Sequence, residues 1–165
     1  MKTLTTILSI IIAIMLSSMA TANNTPMQDY RIQASALYQQ LNKQNPAQLT
    51  EKSKALVELS KSIVKANIRS LPQCKVYLTA LLNAADNIAQ LPINEIESGY
   101  HSDGKLPPLT DGACYHAKDL LVHPATVQAM AIQGIDSNAQ WKQAAHETEE
   151  VLEHLSIVET VLAKQ

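Results

Sequence analysis

The chain contains no phenylalanine, and it has only four glycines and one tryptophan among its 165 residues. The β-branched and aromatic residues that favour strands never alternate over a long run, which argues against an extended β-sheet. Helix-favouring Ala, Leu, Gln, Lys and Glu dominate instead. The composition therefore predicts an all-α protein.

Sequence motifs of catalysis are also missing. The chain has no Gly-x-Ser-x-Gly motif, no phosphate-binding loop and no dinucleotide fingerprint. It lacks Cys-x-x-Cys-His as well, so covalent attachment of haem is excluded. His116 with Asp119 is a candidate acid–base pair, but no nucleophile can be named beside it. We therefore expect a protein that is not an enzyme.

The longest apolar run, Leu8 to Leu16, is shorter than the roughly 20 residues that a membrane-spanning helix needs. It follows the positively charged Lys2 and precedes the small-residue sequence 20–22, which is the pattern of a cleaved secretory signal peptide. We expect residues 1–22 to be removed and residues 23–165 to form a single helical domain without a membrane span. The predicted location is periplasmic or secreted.

Basic residues are scarce in the second half of the predicted mature chain. Residues 23–92 carry eight basic and four acidic side chains, whereas residues 93–165 carry four basic and eleven acidic ones. All five histidines lie in this acidic half. Such a surface favours cations or a basic protein partner and argues against nucleic acid, which requires a basic surface.

Only two cysteines are present, Cys74 and Cys114, and they do not form a Cys-x-x-Cys redox motif. In an exported chain the default expectation is a disulfide between them. Closing a loop of about 40 residues would stabilise the fold by roughly 4 kcal/mol in the chain-entropy model.

Apolar spacing and capping residues predict a four- to five-helix bundle with one long crossover loop and one disulfide. The expected starts are Thr25-Pro26, Asn45-Pro46, a capping box at 70–73, Thr110 or Asp111, and Asp136-Ser137. Pro124 predicts a kink or a break in the helix that begins near Asp111.

Residues 92–111, which include two glycines and three prolines, are read as the long connection, with one helical turn at 94–97. The two cysteines sit at the starts of the helices on either side of it. A disulfide requires these starts to be adjacent, so we expect the connection to run back along the third helix and the two helices to be parallel.

The densest set of metal-ligating residues lies in the helix after the connection. His116, His123 and Met130 are seven residues apart on one helical stripe, with Asp119 between the histidines. His101 in the connection is a further candidate ligand. These donors suit a transition metal, copper best and zinc or nickel next, although residues seven apart on a straight helix cannot chelate one ion.

The last helix offers a second histidine and glutamate pattern, at His146, Glu150 and His154. Measured from the apolar stripe of that helix, His146 and Glu150 point to solvent. Together with Glu147, Glu149 and Glu153 they are expected to form a solvated face.

Three functional hypotheses follow. The first is a non-catalytic envelope protein that contacts a protein partner through the connection and the acidic half, with interface candidates Tyr100, His101, Asp103, Tyr115 and Lys118. The second is a periplasmic copper-, zinc- or nickel-binding protein that uses His116, Asp119, His123, His101 and Met130. The third is non-covalent haem binding, with Met27 or Met130 opposite His116. Under either of the first two hypotheses, three histidines near acidic residues are expected to titrate close to neutrality.

Overall fold

The computed structural model describes residues 24–164, and the predicted signal peptide lies outside this part of the chain. The described chain is all-helical, without strands, as the composition predicts. Its six α-helices are α1 (Pro26–Asn42), α2 (Leu49–Ser70), α3 (Lys75–Ile88), α4 (Ile93–Ile96), α5 (Gly112–Gln133) and α6 (Asn138–Leu162). None of the helices in residues 24–164 is both long and apolar enough to cross a membrane.

Three helix starts follow the predicted capping chemistry. Thr25 with Gln28 forms a capping box at α1, and Ser137 with Gln140 forms another at α6. The side chain of Asp111 accepts a hydrogen bond from the backbone N–H of Ala113 and so caps α5. These side chains satisfy backbone donors that a helix start leaves without partners.

The predicted start of α2 is wrong, and the helical stretch that begins at Pro72, as predicted, lacks the predicted capping box. Asn45 does not cap a helix, because its Oδ1 accepts from the N–H of Ala47 at 3.0 Å and closes a turn, so that α2 begins only at Leu49. The expected capping box at 70–73 is absent because Ser70 still belongs to α2. A 3₁₀ turn, Pro72–Cys74, leads into α3 instead.

The predicted disulfide between Cys74 and Cys114 is present, with the two Cα atoms 5.2 Å apart. It joins the starts of α3 and α5. Their far ends are joined as well, since Nε2 of Gln133 donates to the carbonyl of Leu91 at 3.0 Å. The two helices therefore run in the same direction, which is the arrangement that the cysteine positions predict.

Helix α5 lies at the centre of the fold and packs against α2, α3 and α6. Every residue from 117 to 130 is buried. Polar side chains in this segment are therefore removed from water and need partners inside the protein.

Helix α5 continues through Pro124, so of the two expected alternatives, a kink or a break, the break does not occur. A proline at this position leaves the carbonyl of Leu120 without its helical donor. Two hydroxyl groups from other helices take that place: the Tyr30 hydroxyl of α1 donates to this carbonyl, and Oγ of Ser60 in α2 lies 2.7 Å from it. The interior proline is thus tolerated because α1 and α2 supply replacement hydrogen bonds.

We predict that Tyr30→Phe lowers the free energy of unfolding by about 1–2 kcal/mol, because a buried carbonyl loses a donor. Pro124→Ala restores a backbone N–H four residues after Leu120 and provides the matched background. In that background Tyr30→Phe should cost clearly less, as measured by urea unfolding of the four variants. An equal cost in both backgrounds would show that the Tyr30 hydroxyl does not compensate for the proline.

Candidate metal centre

Two groups of metal-ligating side chains meet between α5, α6 and the segment that follows α4. One group consists of His101, His123 and Glu147, and the other of Asp119, His123 and His154. Within each group the ligand atoms lie within 4.8 Å of one another. Each group has two imidazoles and one carboxylate, and His123 belongs to both.

Helix periodicity explains how α5 and α6 present these side chains. Asp119 and His123 are one turn apart on α5, while Glu147 and His154 are two turns apart on α6. The two helices pack along each other, so these stripes face one another. Asp119, His123 and Glu147 are buried, and His154 is largely buried.

The carboxylate of Asp119 is 1% exposed, and neither of its oxygens has a hydrogen bond of good geometry, although the side chains of Lys118 and Tyr115 both approach it as donors. Oδ1 lies 3.3 Å from Nζ of Lys118, and Oδ2 lies 3.6 Å from Nε2 of His154. Burial raises the pKa of Asp119 to about 6, against the opposing positive charge of Lys118. A buried carboxylate without hydrogen bonds of good geometry is energetically costly and suits a cationic ligand.

His154 contacts a different group at each of its ring nitrogens. Its Nε2 faces Asp119, and its Nδ1 lies 2.8 Å from Nδ1 of the partly exposed His116. Burial and the neighbouring histidines lower the pKa of His154 to about 3. In this pair one nitrogen donates a proton and the other accepts it. When His154 is the donor, its Nε2 lone pair is directed toward Asp119.

His123 and Glu147 form a buried pair, with Nδ1 and Oε2 2.7 Å apart. Burial opposes the charged form of His123, but the hydrogen bond to Glu147 and the charges of Asp119, Glu147 and Glu150 raise its pKa. Oε2 of Glu150, one turn further along α6, lies 3.6 Å from the same Nδ1.

His101 reaches the centre from a π-helical turn, Glu97–His101, an element often found at functional sites. Its Nε2 lies 3.0 Å from Oγ1 of Thr126 and 3.7 Å from Oε2 of Glu147. Burial lowers the pKa of His101 to about 4, despite the attraction of Glu147. The chain after this turn packs closely against it, since a Cβ added at Gly104 would lie 2.4 Å from the carbonyl oxygen of Ser98.

Lys118 is completely buried and fixes the segment that carries His101. Its Nζ donates to the carbonyl of His101 at 2.9 Å and to Oδ1 of Asp103 at 3.0 Å. The Tyr77 hydroxyl donates to the same Asp103 oxygen at 2.6 Å. The ammonium also lies 4.4 Å from the centre of the Tyr115 ring.

The five residues expected to contact a protein partner differ in their exposure to solvent. Tyr100 and Lys118 are buried, so neither offers its side chain to a protein partner. Tyr115 is exposed, and His101 and Asp103 are partly exposed.

Three of the five predicted metal ligands, His101, Asp119 and His123, occur in the two groups. His116 lies beside them and contacts His154. Met130 packs in the hydrophobic core, two turns of α5 beyond His123. The residues predicted on α5 and at His101 therefore include three members of the two groups, and Met130 lies away from them.

Sequence reasoning missed Glu147 as a site residue, and it named His154 only as part of a surface pattern on the last helix. The expectation that Glu147 belongs to a solvated face is wrong, because it is 6% exposed. The buried side of α6 includes Val151 and is turned toward Glu147 by roughly 30° from the predicted apolar stripe, at about 100° per residue. The seven-residue spacing of Glu147 and His154 places both on one face of a helix, and this was the sequence signal that could have identified them together.

No protein family, curated protein or solved structure matches this chain. The geometry of the centre is therefore the basis for any assignment of function.

The expectation that the histidines titrate near neutrality is wrong for His101 and His154, whose pKa values fall from 6.5 to about 4 and about 3. Because the unfolded chain takes up these protons first, both groups contribute stability above about pH 6.5 that is lost as the pH falls. The raised pKa values of Asp119 and His123 act in the opposite direction and reduce the net loss.

We predict that the metal-free protein unfolds at lower urea concentration at pH 5 than at pH 7. His154→Gln should lose less stability between these pH values, whereas His146→Gln, at an exposed histidine, should behave like the parent protein. Unfolding curves in the presence of a chelator provide the measurement. A parent protein equally stable at both pH values would refute this account of the buried histidines.

Proposed function

We propose that this chain is an exported protein that binds a divalent transition-metal ion through Asp119, His123 and His154. The observation that supports this most strongly is the buried Asp119 carboxylate, which has no hydrogen bond of good geometry. A cation near Oδ2 would also approach Nε2 of His154, which lies 3.6 Å from this oxygen. It would supply Oδ2 with a charged partner, in addition to Lys118 beside Oδ1.

The surroundings of Asp119 support one coordinating oxygen rather than two. Lys118 lies beside Oδ1 and balances part of the carboxylate charge, which leaves Oδ2 toward His154 for the metal. Outer groups of this kind commonly orient a ligating carboxylate. Because the site is buried, competition from water is weak and electrostatic attraction to a cation is strong.

The donor set selects the class of metal. Imidazole nitrogen suits zinc, copper, nickel and iron, and two histidines with one carboxylate leave coordination positions open. The preference for copper that a methionine ligand would give has no support, since Met130 packs in the core. We expect zinc(II), copper(II) and nickel(II) to bind, with copper(II) the tightest of the three.

His116 supports this site without being one of its three ligands. Its Nδ1 contacts Nδ1 of His154, so it can accept the proton that the metal-binding tautomer of His154 carries. Histidine ligands are commonly oriented by such a contact at the second ring nitrogen.

The disulfide and the signal-like start of the sequence support a location outside the cytosol. Binding of a protein partner through the connection has less support, because two of its five candidate contact residues are buried.

We predict that untagged protein, stripped with a chelator, binds zinc(II) in calorimetric titrations. Asp119→Asn and His154→Ala should each weaken binding by at least about 100-fold, more than the loss of an outer partner. His146→Ala on the exposed side of α6 is the matched control and should bind like the parent. Zinc, copper and nickel titrations that show no binding above the level of the Asp119→Asn variant would refute the proposal.

We further predict that His116→Ala weakens zinc binding by about 10- to 100-fold, as expected for the loss of a partner that orients a ligand. His116→Asn retains a side chain able to accept from Nδ1 of His154 and should recover part of this loss. Equal affinity in all three proteins would show that His116 does not orient His154.

A further inference from the structure

We propose that the centre holds a second metal ion, bound by His101, His123 and Glu147, and that the imidazole of His123 bridges the two ions. This inference rests on the proposed function, since it adds a neighbouring ion to the Asp119 site. The ligands form two groups of three that share His123, which favours two ion positions over one position with five ligands.

The second group already has the spacing of a metal site. Metal bonds of 2.0–2.2 Å place tetrahedral ligand atoms about 3.3–3.6 Å apart. Nε2 of His101 and Oε2 of Glu147 are separated by 3.7 Å. Nδ1 of His123 and Oε2 of Glu147, at 2.7 Å, must open slightly when an ion replaces the proton between them, and the ligand atoms of His101 and His123 lie within 4.8 Å of each other.

The ring of His123 has a nitrogen for each ion. Nδ1 faces Glu147 and therefore belongs to the second position. In the proposed arrangement the second ring nitrogen, Nε2, would bind the ion at Asp119 and His154, whose group includes His123. Bridging requires both ring nitrogens to lose their protons to solvent, so His123 would bind as an imidazolate, a negatively charged ligand between two cations.

Negative charge is concentrated at the second position. Glu150 lies 3.6 Å from Nδ1 of His123 and is 35% exposed, so it can supply a fourth ligand on the solvent side. Glu97 lies on the same π-helical turn as His101. Carboxylates held together in this way are stabilised by a divalent cation.

The second position is held in place without the metal. Lys118 donates to the carbonyl of His101, and the side chain of His101 contacts Thr126. Oγ1 of Thr126 donates to the carbonyl of Val122, so it accepts from Nε2 of His101. Nε2 of His101 must release this proton, by a change to the Nδ1 tautomer, before it can bind an ion, while the contact of Lys118 with its backbone keeps the residue in place.

The test is the number of zinc ions bound per chain, measured by native mass spectrometry and by elemental analysis of the full protein. We expect two ions for the parent, one for Glu147→Gln, one for His101→Ala and one for Asp119→Asn. Glu149→Gln is the matched control on the exposed side of α6 and should retain two. A parent that binds one ion, or two ions unaffected by Glu147→Gln and His101→Ala, would overturn the second site while leaving the Asp119 site intact.

Binding of copper(II) to the parent protein tests whether His123 bridges two ions. This experiment needs no variant, so it can be done even if the variants fail to fold. Two copper(II) ions bridged by imidazolate are magnetically coupled, and the electron paramagnetic resonance signal at two equivalents should fall well below twice the signal at one equivalent. A signal that simply doubles would overturn bridging by His123. Absence of any bound metal would refute the proposed function itself.

Discussion

The burial of Lys118 is the constraint on which the rest of the centre depends. A fully buried ammonium must be paired, and this one meets Asp103, the carbonyl of His101 and, at a longer distance, Asp119. Asp103 is held by Tyr77 as well and adopts a left-handed backbone with φ 60°, which aspartate tolerates better than most residues. The same contacts bring the π-helical turn onto α5. Lys118 therefore both positions His101 and balances the charge of the Asp119 carboxylate.

A second constraint comes from the proline in the middle of α5. Pro124 directly follows His123, and the carbonyl that it frees is satisfied by hydroxyl groups of α1 and α2. These contacts tie three helices together at the level of the centre. Polar groups in a buried helix are costly when they lack partners, and here almost every one has a partner on a neighbouring element. The exceptions among the buried side chains of residues 24–164 are Asn67 and Asp119. Asp119 alone lies among histidines.

The local rules of helix chemistry explain which parts of this molecule can be read from its sequence. Thr25, Asp111 and Ser137 cap helices as predicted because their effect depends on residues two or three positions away. Asn45 fails as a cap because the same side chain closes a turn, a choice that sequence alone does not decide. The α5 half of the centre follows from helical spacing. Which residues of α6 face the centre depends on the rotation of α6 about its own axis. That rotation is set by packing against α5 and not by the sequence of α6 alone.

In the proposed metal centre, binding of an ion and stability of the fold would be linked. Before an ion binds, the fold holds the buried Asp119 carboxylate, which weakens the folded state when it is ionised. It also holds His101 and His154, which resist protonation and weaken the folded state at acidic pH. An ion that binds only the folded chain would add stability that grows with its concentration, by about 2.7 kcal/mol at one hundred times the dissociation constant. The surrounding contacts of Lys118, Thr126 and the disulfide hold the geometry without the ion. The fold thus keeps an unfavourable group in place because its remaining contacts are strong enough to do so, which is what a preorganised binding site requires.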